Sequence, residues 1–392
     1  MEAMKMRLKL FIKTFIVRFM TSNEAIFSIS VEQQKKYLEK FHAPNNDIDR
    51  SFYQYKCQMK LLGKLKEVVL NLISLFGLPL ILIFLVNRQR KSELESKDAI
   101  VYLDGKPSNI IPDELRLNNE NMICIKGEFP YYLTGVDLKY IKKLFIQYPL
   151  SLFFISKNII KISKYRYGID MYNPKSIIVC AEYSFTSSIL TNYCEFLNIK
   201  HINIMHGEKL FYMRDSFFRF HQCYVWDKYY LNLFKELKAE TKQFIICKPR
   251  SMKFQVESSY EKDIDYTYYL GNESDEVLKK ISDLLKDISS EKVLVSVRPH
   301  PRYSNINKIN HLFNGIVIEN NKEITIEESL ARTKNAISLY STVLNQAYHN
   351  GINIIIDDLS NPNHFKKLSE LKYINLSRKY TLLSEILKKR DE

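Results

Sequence analysis

Beyond about residue 98 the sequence alternates short apolar runs with longer amphipathic stretches, and this alternation constrains the fold more than any other feature. The runs are rich in Ile, Val, Tyr and Phe, which favour strands, and stretches with helical spacing separate several of them. Alternating strands and helices indicate a parallel sheet with helices on both faces. A first series of predicted strands comprises residues 99–104, 122–126, 176–182, 201–206, 223–227 and 244–248, with helices at 186–199 and 229–240.

A second series follows residues 249–263, a polar stretch without clear period that we interpret as a linker. The sequence therefore predicts an α/β protein with two Rossmann-like, doubly wound domains, 96–250 and 251–392, facing a cleft. Ligands of such sheets bind at the carboxyl ends of the strands. The second series comprises predicted strands at 265–271, 292–301, 315–319, 335–340 and 352–358, and predicted helices at 274–288, 325–334, 342–350 and 381–390.

Residues 1–95 differ from the rest and are predicted to associate with a membrane. Residues 5–20 have the pattern of a basic amphipathic helix that lies on anionic lipid. Residues 68–86 carry no charge and have basic flanks, and as a helix they just reach across a hydrocarbon core of about 30 Å. Pro79 weakens a simple crossing, so a span, a monotopic insertion and a buried core helix all remain open. We expect a location at the cytoplasmic face of a bacterial inner membrane, peripheral or monotopic, with a single span as the alternative.

Composition limits the partners and the compartment. The formal net charge of +14 suits an anionic partner, and 46% hydrophobic residues exclude a disordered chain. The basic excess is concentrated beside the hydrophobic segments, which favours lipid over nucleic acid. The six cysteines form no CxxC pair, so neither a zinc site nor a disulfide scaffold is predicted, and five of them are expected to be buried thiols.

The strand end at residues 297–304 predicts an anion site. His300 lies between Pro299 and Pro301, which restrict the local backbone. Arg298 and Arg302 flank this histidine, and guanidinium groups bind phosphate well. An arginine-rich end on a buried strand indicates a bound anion, although a solvated strand end is the simpler alternative.

A second strand end supplies hydroxyl groups on the same edge of the predicted sheet. Ser341 and Thr342 open a helix, whose free amides and hydroxyls can hold a phosphate, although Ser and Thr are also ordinary helix caps. Gly271 follows the first strand of this domain and would let a nucleotide approach the backbone. Glu328 begins a helix and can reach a ribose, or simply complement the helix dipole.

Three residues are candidates for the base that deprotonates an acceptor hydroxyl. His206 and Glu208 flank Gly207 just after a predicted strand of the first domain. Asp104 also ends a strand there. No metal site is predicted, because arginine, histidine and helix amides can balance the leaving charge and no Asp-x-Asp cluster ends a strand. The motifs GxGxxG, Walker A, HExxH and GxSxG are absent from the sequence.

Residues 297–302 and 338–347 together resemble motifs of the bacterial sialyltransferases and polysialyltransferases of GT-B fold. The resemblance implies that His300, Ser341 and Thr342 hold the phosphate of CMP-sialic acid, and that a carboxylate of an acidic pair before glycine is the base. No such acidic pair stands before glycine at the candidate positions of this chain. The segment at 206–210 resembles the His-Gly turn of teichoic-acid-type polyol-phosphate transferases, whose catalytic histidine stands there.

These features predict an inverting, metal-independent glycosyltransferase without a cofactor. The resemblance implies that the donor is CMP-activated sialic acid or a related acidic sugar. The expected acceptor is a lipid-linked or cell-surface oligosaccharide, as in the biosynthesis of capsule, O-antigen or lipooligosaccharide. The alternatives are a CDP-polyol-dependent polyol-phosphate transferase and a catalytically inactive membrane scaffold of the same fold.

Overall fold

The computed structural model describes residues 26–86, 95–125, 131–253, 261–290 and 292–391. The amphipathic helix predicted at 5–20 lies outside these residues. The chain divides into two compact units. The first unit takes the described residues of Met1–Lys106, Arg116–Met205 and Tyr212–Ile245, and the second takes those of Pro107–Leu115, His206–Phe211 and Ile246–Glu392.

The first unit is built on a parallel sheet. Among the described residues its order is β2-β1-β3-β4-β5-β6, and the pairings from β2 to β5 are parallel. The order reverses between β1 and β3, where ligands of doubly wound sheets bind. All residues of β1 and β3 are buried, which explains why their sequences are apolar apart from Ser176. The strands are β1 (Ala99–Tyr102), β2 (Met122–Cys124), β3 (Ser176–Val179), β4 (Lys200–Ile204), β5 (Gln222–Val225) and β6 (Phe244–Ile246).

The helices of the N-terminal two thirds begin at polar caps in several cases. Ser30 accepts a hydrogen bond from the N–H of Gln33, and Asn46 accepts one from the N–H of Asp49, so each cap satisfies an amide of the first turn. These helices are α1 (Val31–Leu38), α2 (Asp47–Leu62), α3 (Lys64–Val86), α4 (Asp113–Leu117), α5 (Gly135–Gln147), α6 (Leu152–Tyr172), α7 (Ser187–Phe196) and α8 (Lys228–Glu236).

The second unit has a second parallel sheet. Its order is β12-β11-β10-β7-β8-β9 among the described residues, and every pairing is parallel. Counted from its own first strand this is the order 3-2-1-4-5-6 of dinucleotide-binding Rossmann domains, and it reverses between β7 and β10. The strands are β7 (Ile264–Tyr269), β8 (Val295–Arg298), β9 (Val317–Ile318), β10 (Thr333–Ser338), β11 (Asn353–Ile356) and β12 (Thr381–Leu382).

Helices cover both faces of this second sheet. Ile337 of β10 belongs to one buried cluster with Ile281. Its neighbour Ala336 belongs to another buried cluster with Leu344, because successive strand residues point to opposite faces. The predicted α/β class with two Rossmann-like, doubly wound parts is therefore confirmed. The helices are α9 (Asp275–Ile288), α10 (Ile306–Leu312), α11 (Ile326–Arg332), α12 (Thr342–His349), α13 (Pro362–Glu370) and α14 (Leu383–Asp391).

Several predicted elements differ from the observed ones at their ends. The predicted helix at 381–390 begins instead as strand β12, because Thr381 and Leu382 pair with β11 at the sheet edge before α14 starts. Most predicted strands extend further than the observed ones, because the polar or glycine-containing segments after each strand do not pair with the neighbouring strand. Four cysteines rather than five are buried, with Cys124 exposed and Cys247 half-buried.

Candidate anion-binding site

Strand β8 ends at Arg298, whose charge is compensated inside the second unit. The side chain is buried, and Nη1 donates to Oε2 of Glu319 at 2.8 Å. Nη2 donates to the carbonyl of Ile324, also at 2.8 Å. This arginine therefore fixes the strand end on which the following residues stand, and its guanidinium is already engaged without a ligand.

His300 follows two residues later, half-buried, with its ring held in one orientation. Its Nδ1 accepts a hydrogen bond from the N–H of Arg302 at 3.0 Å, and its backbone N–H donates to Oγ of Ser304 at 2.8 Å. The ring stacks on Tyr303 with centroids 4.4 Å apart. Because Nδ1 accepts, the proton of the neutral ring lies on Nε2, which is the donor left for a ligand. Burial, with the nearby charge of Arg302, lowers the pKa of His300, so the ring is neutral at neutral pH.

Ser341 and Thr342 stand where α12 begins. The Oγ of Ser341 accepts from the N–H of Val343 at 3.2 Å, so this residue is the helix cap, and both hydroxyl residues are half-buried. First-turn amides of a helix have no partner within it, and the dipole favours an anion there. The hydroxyl of Ser338, at the end of β10, donates to the carbonyl of Tyr269 at 2.8 Å and holds the ends of β10 and β7 together.

The segments that follow β8 and β10 lie on the same edge of the second sheet. Strands β8 and β10 flank β7, and neighbouring strands lie about 4.8 Å apart, so their ends are roughly 10 Å apart. The residues that follow β8 and β10 therefore lie on either side of the point where the strand order reverses. We call His300, Ser341 and Thr342 the phosphate rim. That all three meet one anion remains a prediction.

A small pocket of about 80 Å³ opens beside the phosphate rim, between the segments that follow β7 and β8. Gly271 lines it, and its N–H donates to Oε1 of Glu273 at 2.8 Å. Burial raises the pKa of this carboxyl group. Lys308, paired with Asp275, lines the opposite side. Gly271 is predictable from the sequence, whereas Glu273 and Lys308 are not, because only the folded loops bring them to one pocket.

Three other predicted ligands, Glu328, Pro301 and Arg302, have different surroundings. The Oε2 of Glu328 accepts from the N–H and the Oγ1 of Thr325, at 2.7 and 2.8 Å, which is the capping box of α11. The carboxylate thus hydrogen-bonds the start of its own helix, and a contact with a ribose stays a prediction. Pro301 and Arg302 are exposed, so the Arg302 guanidinium is free to reach a ligand in solvent.

The base candidates fall on both units. The segment with His206 and Glu208 clusters with the second unit, although the strand before it belongs to the first. Oε1 of Glu208 accepts from Nδ2 of Asn345 at 2.8 Å, and Oδ1 of Asn345 accepts from Nη1 of Arg378 at 2.6 Å. The carboxylate is thus attached to α12, the helix whose first residue is Thr342.

Asp104 lies on the first unit, two residues after β1. It is exposed, has a positive φ of 50° and lies 3.8 Å from Nζ of Lys164. His206 and Glu208 therefore belong to the same unit as the phosphate rim, whereas Asp104 belongs to the first unit. Asn345 and Arg378 are not predictable from the sequence, because their roles depend on contacts between distant segments.

Within the described ranges no group of three or more His, Cys, Asp and Glu side chains is placed to hold a metal ion.

Comparison with protein-family models gives no match, and comparison with curated proteins finds no relative. Comparison with solved structures finds several that are similar to this chain. The wall teichoic acid polymerase TagF is 10% identical, with 84% of this chain and 88% of that chain covered and a TM-score of 0.44. MnaA of S. aureus with UDP is 9% identical, with 75% and 87% covered and a TM-score of 0.44. The calicheamicin glycosyltransferase CalG4 is 11% identical, with 70% and 84% covered and a TM-score of 0.42. The α/β assignment of this chain rests on its own two sheets.

Proposed function

We propose that the chain is a group transferase that uses a nucleotide-activated donor and binds the donor phosphate at the phosphate rim of the second unit. The observation that carries this proposal is the strand order. The order reverses between β7 and β10, and a helix N-terminus and a neutral histidine donor stand at the strand ends around that reversal. Such an edge suits a phosphate that gains charge as it leaves.

The reaction is a direct displacement. A base takes the proton of the acceptor hydroxyl, the hydroxyl oxygen attacks the sugar carbon, and the bond from that carbon to the donor phosphate oxygen breaks. The electron pair of that bond goes to the leaving phosphate. Nε2–H of His300 and the amides of α12 stabilise this charge, while Arg298 holds the strand end in place through Glu319. Glu208 is the first candidate for the base, followed by His206 and Asp104.

The proposed donor is a CMP-activated acidic sugar, as the resemblance in sequence implies. The proposed acceptor is a lipid-linked or cell-surface oligosaccharide. Helix α3 supports an acceptor at a membrane, because its length and composition are sufficient to cross one and only 22% of its most apolar window is buried.

A CDP-polyol donor is the second candidate, and one observation favours it. The His206 segment belongs to the same unit as the phosphate rim, and Glu208 is attached to α12 through Asn345. In this alternative His206 is the base, as in the polyol-phosphate transferases that the segment resembles.

Ligand binding tests the proposal first. Thermal unfolding is recorded with CMP, CDP, UDP and GDP, since a ligand of the native state raises the midpoint by mass action. We expect CMP or CDP to stabilise the protein, and His300→Ala to abolish the shift. His311→Ala is the matched control, because this histidine is exposed on α10 of the same unit. If no nucleotide stabilises the protein, the transferase proposal is wrong and the inactive scaffold is favoured.

Turnover then separates the two donors. Release of CMP is followed with CMP-sialic acid and with CDP-glycerol, each with an acceptor extract. The kcat and KM values are then measured for three variants, Glu208→Gln, His206→Asn and Asp104→Asn. The base is the residue whose variant loses kcat while the donor affinity is unchanged. Release from CDP-glycerol alone would refute the CMP-sugar donor and support the second candidate.

A further inference from the structure

Helix α3 is hydrogen-bonded to the first unit in its N-terminal third and near its C-terminal end. The Oδ1 of Asn71 accepts a hydrogen bond from the N–H of Phe153 at 3.1 Å, where α6 begins. The carbonyl of Leu85, near the other end, accepts from the N–H of Leu133 at 3.1 Å. The helix therefore lies along α6 of the same unit and does not project away from it.

This attachment decides between the three alternatives that the sequence left open for α3. A crossing would draw α6 into the hydrocarbon, and α6 buries Asn158, Arg166 and Asp170, whose polar groups need the protein around them. A core helix would be covered, yet on α3 only one row is buried, formed by Leu70, Ser74, Leu78 and Leu85. The geometry leaves a helix that lies parallel to a membrane surface.

The outer side of α3 exposes large apolar side chains along its whole length. A contiguous apolar patch of this kind is typical of a surface that contacts a protein or a membrane. The exposed members include Phe76 at 76% and Leu80 at 68%. The others are Leu65, Val68, Leu72, Ile73, Leu75, Ile83, Phe84 and Val86.

Helix α6 adds a row of positive charge next to α3. Lys157, Lys161 and Lys164 follow one another at helical spacing on α6, and all three are half-buried; we call them the lysine row. Among the residues that the structure describes, Lys157 and Lys161 have no carboxylate partner, and Lys164 has only Asp104 at 3.8 Å. Burial, together with Lys161, lowers the pKa of Lys157 to about 8. The positive charges of the lysine row repel each other, and an anion bound between them offsets this repulsion.

We propose that the first unit docks on an anionic phospholipid surface with α3 in the plane of the membrane and the lysine row against the lipid phosphates. The apolar face supplies insertion among the acyl chains, and the unpaired lysines supply the preference for negative headgroups. This inference extends the proposed membrane association. It does not depend on the transferase reaction, because binding to vesicles is measured without donor or acceptor.

Vesicle sedimentation tests the charge. The full chain is mixed with phosphatidylcholine vesicles or with vesicles containing 30% phosphatidylglycerol. The double variant Lys157→Gln/Lys161→Gln should lose roughly 30-fold in its partition onto the anionic vesicles, at about fivefold per lysine. The control Lys279→Gln/Lys366→Gln removes two exposed lysines of the second unit and should change little. Equal losses in both double variants, or no loss in the first, would overturn the role of the lysine row.

Depth measurements test the orientation. Leu72 and Ile83 lie eleven residues apart on the same exposed side of α3. Spin labels at Leu72→Cys and Ile83→Cys, each in a background with Cys124→Ser and Cys247→Ser, should report the same depth if α3 lies in the plane. A crossing helix would separate the two depths by about 16 Å, and that result would refute the in-plane orientation. Ile73→Cys and Phe84→Cys provide an independent pair with the same spacing.

Discussion

The substitution Glu319→Gln tests whether Arg298 serves the strand end rather than the ligand. Both side chains are buried, and their 2.8 Å contact is a charge-assisted hydrogen bond. Glutamine preserves the size and one acceptor oxygen but removes the negative charge. The guanidinium then stays buried without a compensating negative charge, and its partners are the neutral amide oxygen of glutamine and the carbonyl of Ile324.

Removing one partner of a buried ion pair costs about 3 kcal/mol of unfolding free energy. For a unit of this size that corresponds to a fall of roughly 6–12 °C in the unfolding midpoint. The assay is thermal unfolding combined with hydrogen exchange, in which the amides of β8 should exchange faster. The matched control is Glu276→Gln, which removes the carboxylate of an exposed pair with Lys280 in the same unit and should leave both readouts unchanged.

Equal effects of Glu319→Gln and Glu276→Gln would contradict this account. They would mean that the Arg298 charge has no need of Glu319, and the arginine would return to the set of phosphate ligands. A selective effect of Glu319→Gln on β8 supports Arg298 as a positioning residue for His300.

Three further predictions follow from packing and titration. Gly168→Ala should destabilise the first unit by about 1–3 kcal/mol, because a Cβ there would meet a tyrosine oxygen at 2.5 Å. The control Gly77→Ala has open space around it and should be neutral or slightly stabilising. Chemical denaturation measures the free energy of unfolding of both variants. Burial lowers the pKa of His201 to about 3 from 6.5, so its contribution to stability is complete above pH 6.5. Below that pH the free energy of unfolding falls by about 1.4 kcal/mol per pH unit. His201→Gln should flatten this dependence in unfolding measured from pH 7 to 4, and an unchanged slope would refute the prediction. Arg302→Gln should raise the pKa of His300 toward its ordinary value by removing a positive neighbour, which an NMR titration of the ring detects, and a fall or no change would contradict the assignment.

Sequence patterns were sufficient for the fold class because buried parallel strands are continuously apolar. They could not reveal the strand order, which depends on packing between distant segments, nor the long helix α6. That helix buries Asn158, Arg166 and Asp170 beside its apolar residues, so it shows no clean amphipathic period.

The site was predictable in its residue types and not in its contacts. Proline, histidine and arginine after an apolar strand indicate an anion site wherever they occur. The pairing of Arg298 with Glu319 joins positions 21 residues apart, and no local pattern encodes it. The same holds for Asn345, which connects Glu208 to α12 across 137 residues.

A double-mutant cycle on nucleotide affinity tests the central claim most directly. His300→Ala, Thr342→Val and the combined variant are titrated with CDP by calorimetry. Thr342→Val preserves shape and leaves the Ser341 cap intact. If both side chains hold the same phosphate, each single variant weakens binding and the combined loss departs from the sum by at least about 0.5 kcal/mol. Strictly additive losses, or affinity unchanged in either single variant, would show that the imidazole and the hydroxyl do not meet one anion.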